Sequence, residues 1–137
     1  WSPSTVTYTG NNRTHMVRIP DAGRFEVRHA DGSANPYLLQ AGMLGLGLDG
    51  INNKRSAGKR LDINMYTQGH KLKRVKKLPK TLDKALKLFK ESNVAKNAFG
   101  SSVVSKYVKL KNRELKEYGK QPEDQKSEWS RNNAIDC

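Results

Sequence analysis

An α+β fold, with antiparallel strands first and then a buried helix and C-terminal helices, is predicted by three features of this 137-residue sequence. Residues 5–28 carry short β-rich runs parted by turn signals. Residues 36–50 form an almost uncharged run introduced by Asn-Pro. Residues 82–118 carry apolar side chains at helical spacing.

TVTYT at 5–9 is rich in β-branched and aromatic residues, and GNN at 10–12 is a turn signal. THMVRI at 14–19 reads as a second strand, with His15, Val17 and Ile19 on one face and Met16 and Arg18 on the other. PDAG at 20–23 places Pro and Gly where a tight connection uses them. GRFEVRH at 23–29 follows as a third strand, so 14–28 reads as an antiparallel hairpin. In that strand Arg24, Glu26 and Arg28 share one face, and Phe25 and Val27 share the other. The apolar face is expected to pack on a core. The polar face sets a carboxylate between two guanidiniums over about 13 Å, at roughly 3.3 Å per residue.

Asn35 suits a helix N-cap and Pro36 the first helical position. The helix that follows, PYLLQAGMLGLGLDG, has no charge before Asp49. A helix apolar all round is expected to be buried, and Gly42, Gly45 and Gly47 allow close backbone approach. Burying it in so charged a chain implies much surrounding protein. Residues 52–70 read as a polar loop, and residues 71–90 hold nine basic side chains and one acid. There Thr81 can cap a helix with Leu82, Ala85, Leu86 and Phe89 at i, i+3, i+4 and i+7. A last helix is predicted from about Ser101 to Tyr118, with Val104, Tyr107, Val108, Leu115 and Tyr118 on one stripe. From Gly119 the chain is polar and expected to be loosely held, with Trp129 and Ile135 able to dock. The division is therefore 1–118, then a tail at 119–137.

Lys and Arg total 26 against 13 Asp and Glu, a net charge of +13. That balance favours an anionic partner: nucleic acid, an acidic membrane surface, or phosphates and carboxylates. Cys137 is the only cysteine, which excludes a disulfide framework or a CxxC metal pair and makes a reducing compartment the default. WSPSTVTYTGNNRTH lacks the charged start and apolar run of a signal peptide, and no apolar stretch approaches the roughly 18 residues of a membrane span. The chain opens on Trp1 rather than Met, so it is expected to be processed or to begin inside a longer protein.

The arginines are the candidate site. If the hairpin pairs around PDAG, Arg18 and Arg24 come close across it. With Arg13 beside the turn and Arg28 on the third strand, four guanidiniums would converge around Glu26. Like charges so placed repel unless an anion is bound, and the planar fork of Arg suits phosphate and carboxylate. Glu26 could pair with its neighbours or act as one oxygen ligand for a divalent cation bound with phosphates. A salt-bridged solvent face fits the same pattern. The basic run at 71–80 signals nucleic acid, but it has no interleaved aromatics, zinc spacing or helix-turn-helix signature, which favours a solvated face. His15, His29 and His70 share no metal-ligand spacing and read as structural or exposed. Nothing marks a base that would activate Cys137, and Tyr66 reads as an exposed or half-buried tyrosine.

NNRTHMVRIP, then GRFEVRHADGSANPYL, then AGMLGLGLDGI, in that order and spacing, closely resemble the C-terminal part of the catalytic domain of glutamine synthetase. LPKTLDKAL and AFGSSVVSKYVKLKNREL are similar to that family's closing helices. The resemblance implies that the strands form part of the family's catalytic barrel. It implies an ATP-dependent ligation of ammonia to the side-chain carboxylate of L-glutamate through γ-glutamyl phosphate, with Mg2+ or Mn2+. In that reading Arg13 contacts phosphate and glutamate, Arg18 and Arg24 contact ATP phosphates, Glu26 is a metal ligand, and Arg28 binds the substrate glutamate. Tyr66 falls where some bacterial members carry an adenylylated tyrosine, although the residues around it differ.

The connection from RIP to RFEVR is short, so phosphate contacts that other members place there are expected to be lost. The resemblance further implies a cytoplasmic enzyme built as a ring of identical subunits. The other metal-binding glutamates and histidine would lie before Trp1. A chain of this extent, roughly the last third of the enzyme, is expected to be inactive alone and unstable. Two alternatives stand beside this: a γ-glutamyl ligase using an amine such as methylamine, and a standalone basic nucleic-acid-binding protein.

Overall fold

The computed structural model describes residues 2–134. The readings made for Ile135 and Cys137 lie outside the described residues. Among those described are a three-stranded sheet, six α-helices and one 3-10 turn, and the chain divides into two compact units. One comprises the described residues through Ala30 together with Ser56–Lys80. The other comprises Asp31–Arg55 and the described residues from Thr81 onward.

The first unit is built on the sheet: β1 (Tyr8–Thr9), β2 (Val17–Asp21) and β3 (Arg24–Val27), in that spatial order. β2 and β3 form the antiparallel hairpin that the sequence predicts, with Val17 opposite Val27 and Arg18 opposite Glu26. The connection is tighter than PDAG suggests. Pro20 and Asp21 belong to β2, Asp21 pairs with Arg24, and Gly23 takes the left-handed turn conformation at φ 76°. An irregularity between Arg18 and Asp21 absorbs the odd residue.

β1 differs from expectation, because it runs parallel to β2. A parallel pair ordinarily needs a crossover of a dozen residues or more. Here only two residues pair, Tyr8 with Val17 and Thr9 with Arg18, so the short return through Gly10–Met16 suffices. The expected start of this strand at Thr5 is a lone antiparallel bridge to Lys77 instead. Closing this sheet into a barrel would need further strands.

The interior of this unit is largely polar. Its buried side chains are Thr7, Thr9, Thr14 and His15, with Pro3 the apolar one among them. The expected packing of the apolar face of β3 is only partial: Val27 is half-buried, but Phe25 is 64% exposed, as is Ile19 of β2 at 39%. The region read as a polar loop holds a short helix, α2 (Met65–Gln68), which runs into a 3-10 turn at Gly69–Lys71. Asn64 caps it by accepting hydrogen bonds from the Tyr66 and Thr67 amides. That signal is too local to stand out from turn chemistry.

In the second unit, α1 (Pro36–Asn52) starts as predicted, with the Asn35 side chain accepting from the amides of Tyr37 and Leu38 at 3.1 Å each. It is not buried: Tyr37 is 82% exposed, Leu44 69% and Ile51 74%. A helix apolar all round needs cover on every side, and within this unit it packs chiefly on α4 (Asn93–Phe99). Gly42 lies under the Phe99 ring and Gly45 against Ala98, whereas Gly47 has open space beside it. The close-approach reading therefore holds for the first two glycines and fails for the third.

The apolar core lies between α3 (Leu82–Glu91), α4 and α5 (Ser101–Gly119). Leu86, Ala95, Val104 and Val108 are buried, with Phe89, Phe99, Tyr107 and Leu115 packed around them. The predicted stripes supply most of these residues. Thr81 stands at the N-cap of α3, but its side chain makes no cap bond. Its hydroxyl bonds instead to Asp83 and is the main cause of that carboxyl's lowered pKa. The polar tail is not wholly loose. It forms α6 (Lys126–Ala134), where Trp129 packs on Tyr118 with ring centroids 5.8 Å apart.

Gly45→Ala should destabilise the chain by about 1–3 kcal/mol, because the new methyl is driven into Ala98. Gly47→Ala, which meets nothing within 4 Å, should stabilise it by about 0.5–1 kcal/mol through helix propensity. Urea denaturation of the two variants checks both signs.

Candidate active-site wall

The wall is the polar face of β2 and β3, and the register builds it. Because Arg18 faces Glu26 across the hairpin, the Arg18 Nη1 donates to Glu26 Oε2 at 2.6 Å. Arg28, two residues on, donates from Nη1 to Glu26 Oε1 at 2.5 Å. One carboxylate thus holds two guanidiniums, each on its own oxygen. Both arginine side chains are largely enclosed, 13% exposed for Arg18 and 18% for Arg28. The Arg28 hydrogen bond is the largest cause that holds the Glu26 carboxyl below the usual carboxylate range, and Arg18 adds to it against a smaller desolvation effect.

The other two arginines stand apart from this brace. The expected meeting of Arg18 and Arg24 does not occur, because the hairpin register sets Asp21 opposite Arg24. Arg24 is exposed at the turn and donates to Asp21 at 3.2 Å. Arg13 enters through its backbone: its carbonyl accepts from Arg28 Nε at 3.2 Å. Its side chain is exposed and makes no ion pair among the described residues.

The loop that carries Arg13 is clamped by its neighbours. The Asn12 oxygen accepts from the Thr14 amide and hydroxyl, and its Nδ2 donates to the Ile63 carbonyl at 3.0 Å. The Thr14 oxygen accepts from the Met65 amide at 3.0 Å. His15, fully buried, reaches the same Ile63 carbonyl through Nε2 at 2.8 Å and Thr7 Oγ1 through Nδ1 at 3.0 Å. A carbonyl only accepts, so Nε2 carries the proton; in the neutral ring Nδ1 then accepts from the Thr7 hydroxyl. His15 is structural, as its isolated position in the sequence suggests. Thr9 ties β1 to the same segment by donating to Asp62 at 2.7 Å.

Asn11 is the member of the site that sequence reasoning missed. Its Oδ1 accepts from Arg18 Nε at 3.0 Å and from Nη2 at 2.5 Å. Within a Gly-Asn-Asn run it reads as turn chemistry. The parallel return of β1 to β2 is what brings it to Arg18.

His29 and His70 are exposed. The six cations between Lys71 and Lys80 are exposed and make no ion pair among the described residues, and backbone bonds from Val6 to Lys76 and from Leu78 to Ser4 pin the segment. Tyr66 is 48% exposed and donates its hydroxyl proton to the Ser2 carbonyl at 2.7 Å. Among the described residues no three His, Cys, Asp or Glu side chains group to hold a metal ion. Both Glu26 oxygens face arginines, so the residues present do not by themselves fit a divalent cation. No helix among the described residues is long and apolar enough to cross a membrane.

A hairpin face that presents enclosed arginines around one carboxylate defines a wall suited to phosphate and carboxylate groups. The family described as "Glutamine synthetase, catalytic domain" matches residues 1–130, and the chain belongs to it. It is 46% identical over 136 residues to a glutamine synthetase of Rhizobium leguminosarum bv. phaseoli, covering 99% of this chain and 30% of that protein. A Staphylococcus epidermidis glutamine synthetase is 34% identical over 141 residues, covering 98% of this chain and 31% of that protein. Among solved structures, a GmaS/ADP complex is similar across 100% of this chain and 30% of its own, at 45% identity and a TM-score of 0.85. An apo GmaS without ligand covers 99% and 31%, at 43% identity and a TM-score of 0.80. The chain spans about 30% of the length of the curated relatives it matches.

The low Glu26 pKa gives a pH test. A carboxyl held lower in the folded than in the unfolded chain contributes stability above its unfolded pKa, and that stability is lost as pH falls through the folded value. In a side-chain carboxyl NMR titration Glu26 should titrate below an ordinary glutamate. Titration at the ordinary value would mean that the two-arginine brace does not form in solution.

Proposed function

We propose that the polypeptide carrying this chain is an ATP-dependent ligase that joins ammonia to the side-chain carboxylate of L-glutamate, and that this chain supplies one wall of its active site. The γ-phosphoryl group of ATP passes to the glutamate carboxylate, giving γ-glutamyl phosphate and ADP. Ammonia then attacks the acyl carbon and phosphate leaves. The observation that carries this reading is the enclosed Arg18–Glu26–Arg28 brace inside a matched glutamine synthetase region. The ADP named with one GmaS structure supports nucleotide as the phosphoryl source.

Arg18 and Arg24 serve as contacts to ATP phosphates, and Arg13 as a contact to the transferring phosphoryl group and glutamate. Guanidiniums there offset the charge that develops on the equatorial oxygens. Arg28 binds the substrate glutamate. Glu26, whose oxygens here pair with Arg18 and Arg28, would serve as a carboxylate ligand of a Mg2+ or Mn2+ ion only with ligands supplied from outside this chain. The working enzyme is a cytoplasmic ring of identical subunits.

A second reading has its own support. Two solved relatives are GmaS, a γ-glutamylmethylamide synthetase, at 45% and 43% identity, against 46% for the rhizobial glutamine synthetase. The same wall would serve an amine such as methylamine as the nitrogen donor. Ammonia and methylamine supplied separately, with product identified by mass spectrometry, distinguish the two.

In the complete ligase, Arg28→Ala should raise the KM for glutamate about 10- to 100-fold with a smaller change for ATP, and Arg18→Ala should do the reverse. Unchanged kinetics in both variants would remove this chain from the active site.

A further inference from the structure

We infer that Asn11 is the positioning residue for Arg18, fixing its guanidinium for the phosphate chain of the nucleotide; this rests on the ligase reading above. Arginine has five N–H donors. Asn11 Oδ1 takes the Nε donor at 3.0 Å and one Nη2 donor at 2.5 Å, and Glu26 Oε2 takes one Nη1 donor at 2.6 Å. Two donors remain, one on each terminal nitrogen, which is the number a bidentate phosphate contact uses.

The two anchors differ in kind. Glu26 carries a full charge but divides it between Arg18 and Arg28, so the cluster of three keeps a net positive charge. Asn11 is neutral and orients the guanidinium without cancelling any of its charge. A carboxylate at this position would hold the same edge of Arg18 but would compete with the phosphate for it.

Asn11 can do this because its backbone is held on both sides. The neighbouring Asn12 amide and the Ile19 amide of β2 both donate to the Gly10 carbonyl, at 2.9 and 3.3 Å. The Asn12 side chain is tied to Ile63 and Thr14. A short side chain on so fixed a turn aims the longer, enclosed one opposite it, which is the support a binding group needs to be ready before ligand arrives.

The test is Asn11→Ala and Asn11→Asp in the complete ligase, read in two ways. In 15N NMR of the arginine side chains, Arg18 Nε–H should give a resolved, slowly exchanging signal that is lost in Asn11→Ala and kept in Asn11→Asp. In steady-state kinetics, Asn11→Ala should raise the KM for ATP about tenfold while the KM for glutamate stays within about twofold. An unchanged Nε signal, or an equal shift in both KM values, would overturn the positioning role. Loss of the Nε signal in a protein without ligase activity would instead sink the ligase reading, leaving Asn11 as the anchor of an arginine that serves another anion.

Discussion

One carboxylate between two guanidiniums organises the sheet unit of this chain. Glu26 can hold both Arg18 and Arg28 only if β2 and β3 pair in the register that sets residue 18 opposite residue 26. That register makes Asp21 the partner of Arg24, displaces Arg24 to the exposed turn, and leaves Arg28 positioned to donate to the Arg13 carbonyl. The hydrogen bonds that reach the 60–65 segment from Thr9, Asn12, Thr14 and His15 keep the connecting loop in place. The unit therefore has a largely polar interior. Its order comes from satisfied hydrogen bonds more than from apolar packing, and such networks are specific when complete.

The second unit rests on a different force. Its core is a small apolar cluster on three helices, with Phe89 contacting Phe99 and Tyr107 at centroid distances of 5.9 and 5.6 Å. α1 docks on it through two glycines that admit Phe99 and Ala98, and leaves Tyr37, Leu44 and Ile51 bare. Those bare residues and Phe25 of the sheet are apolar surface of the kind that marks contact with further protein. Their exposure accords with a chain that spans about 30% of its relatives' length.

Local patterns in the sequence made much of this legible. The helical stripes of α3 and α5, the Asn35-Pro36 start of α1 and the alternation of Arg24, Glu26 and Arg28 each depend on neighbours a few residues away. What was not legible depends on distant residues or on surroundings. The parallel sense of β1, the bond from Asn11 to Arg18 and the two anchors of His15 all follow from the return of the chain through Gly10–Met16. The apolar character of α1 and of Phe25 states that cover is needed but not where it comes from. α2 and α6 are short or polar and have no stripe to announce them. Alternation along the strand predicts four converging arginines, whereas the register of a hairpin with an irregularity keeps Arg18 and Arg28 on Glu26 and leaves Arg24 and Arg13 exposed and apart.

The most direct measurement is a crystal structure of the complete ligase with a non-hydrolysable ATP analogue. Phosphate oxygens should lie within hydrogen-bond distance of Arg18, with Asn11 still bonded to its Nε edge and Glu26 beside it. Phosphates bound elsewhere, with Arg18 bonded only to Asn11 and Glu26, would contradict this and reduce the polar face of the hairpin to a structural brace.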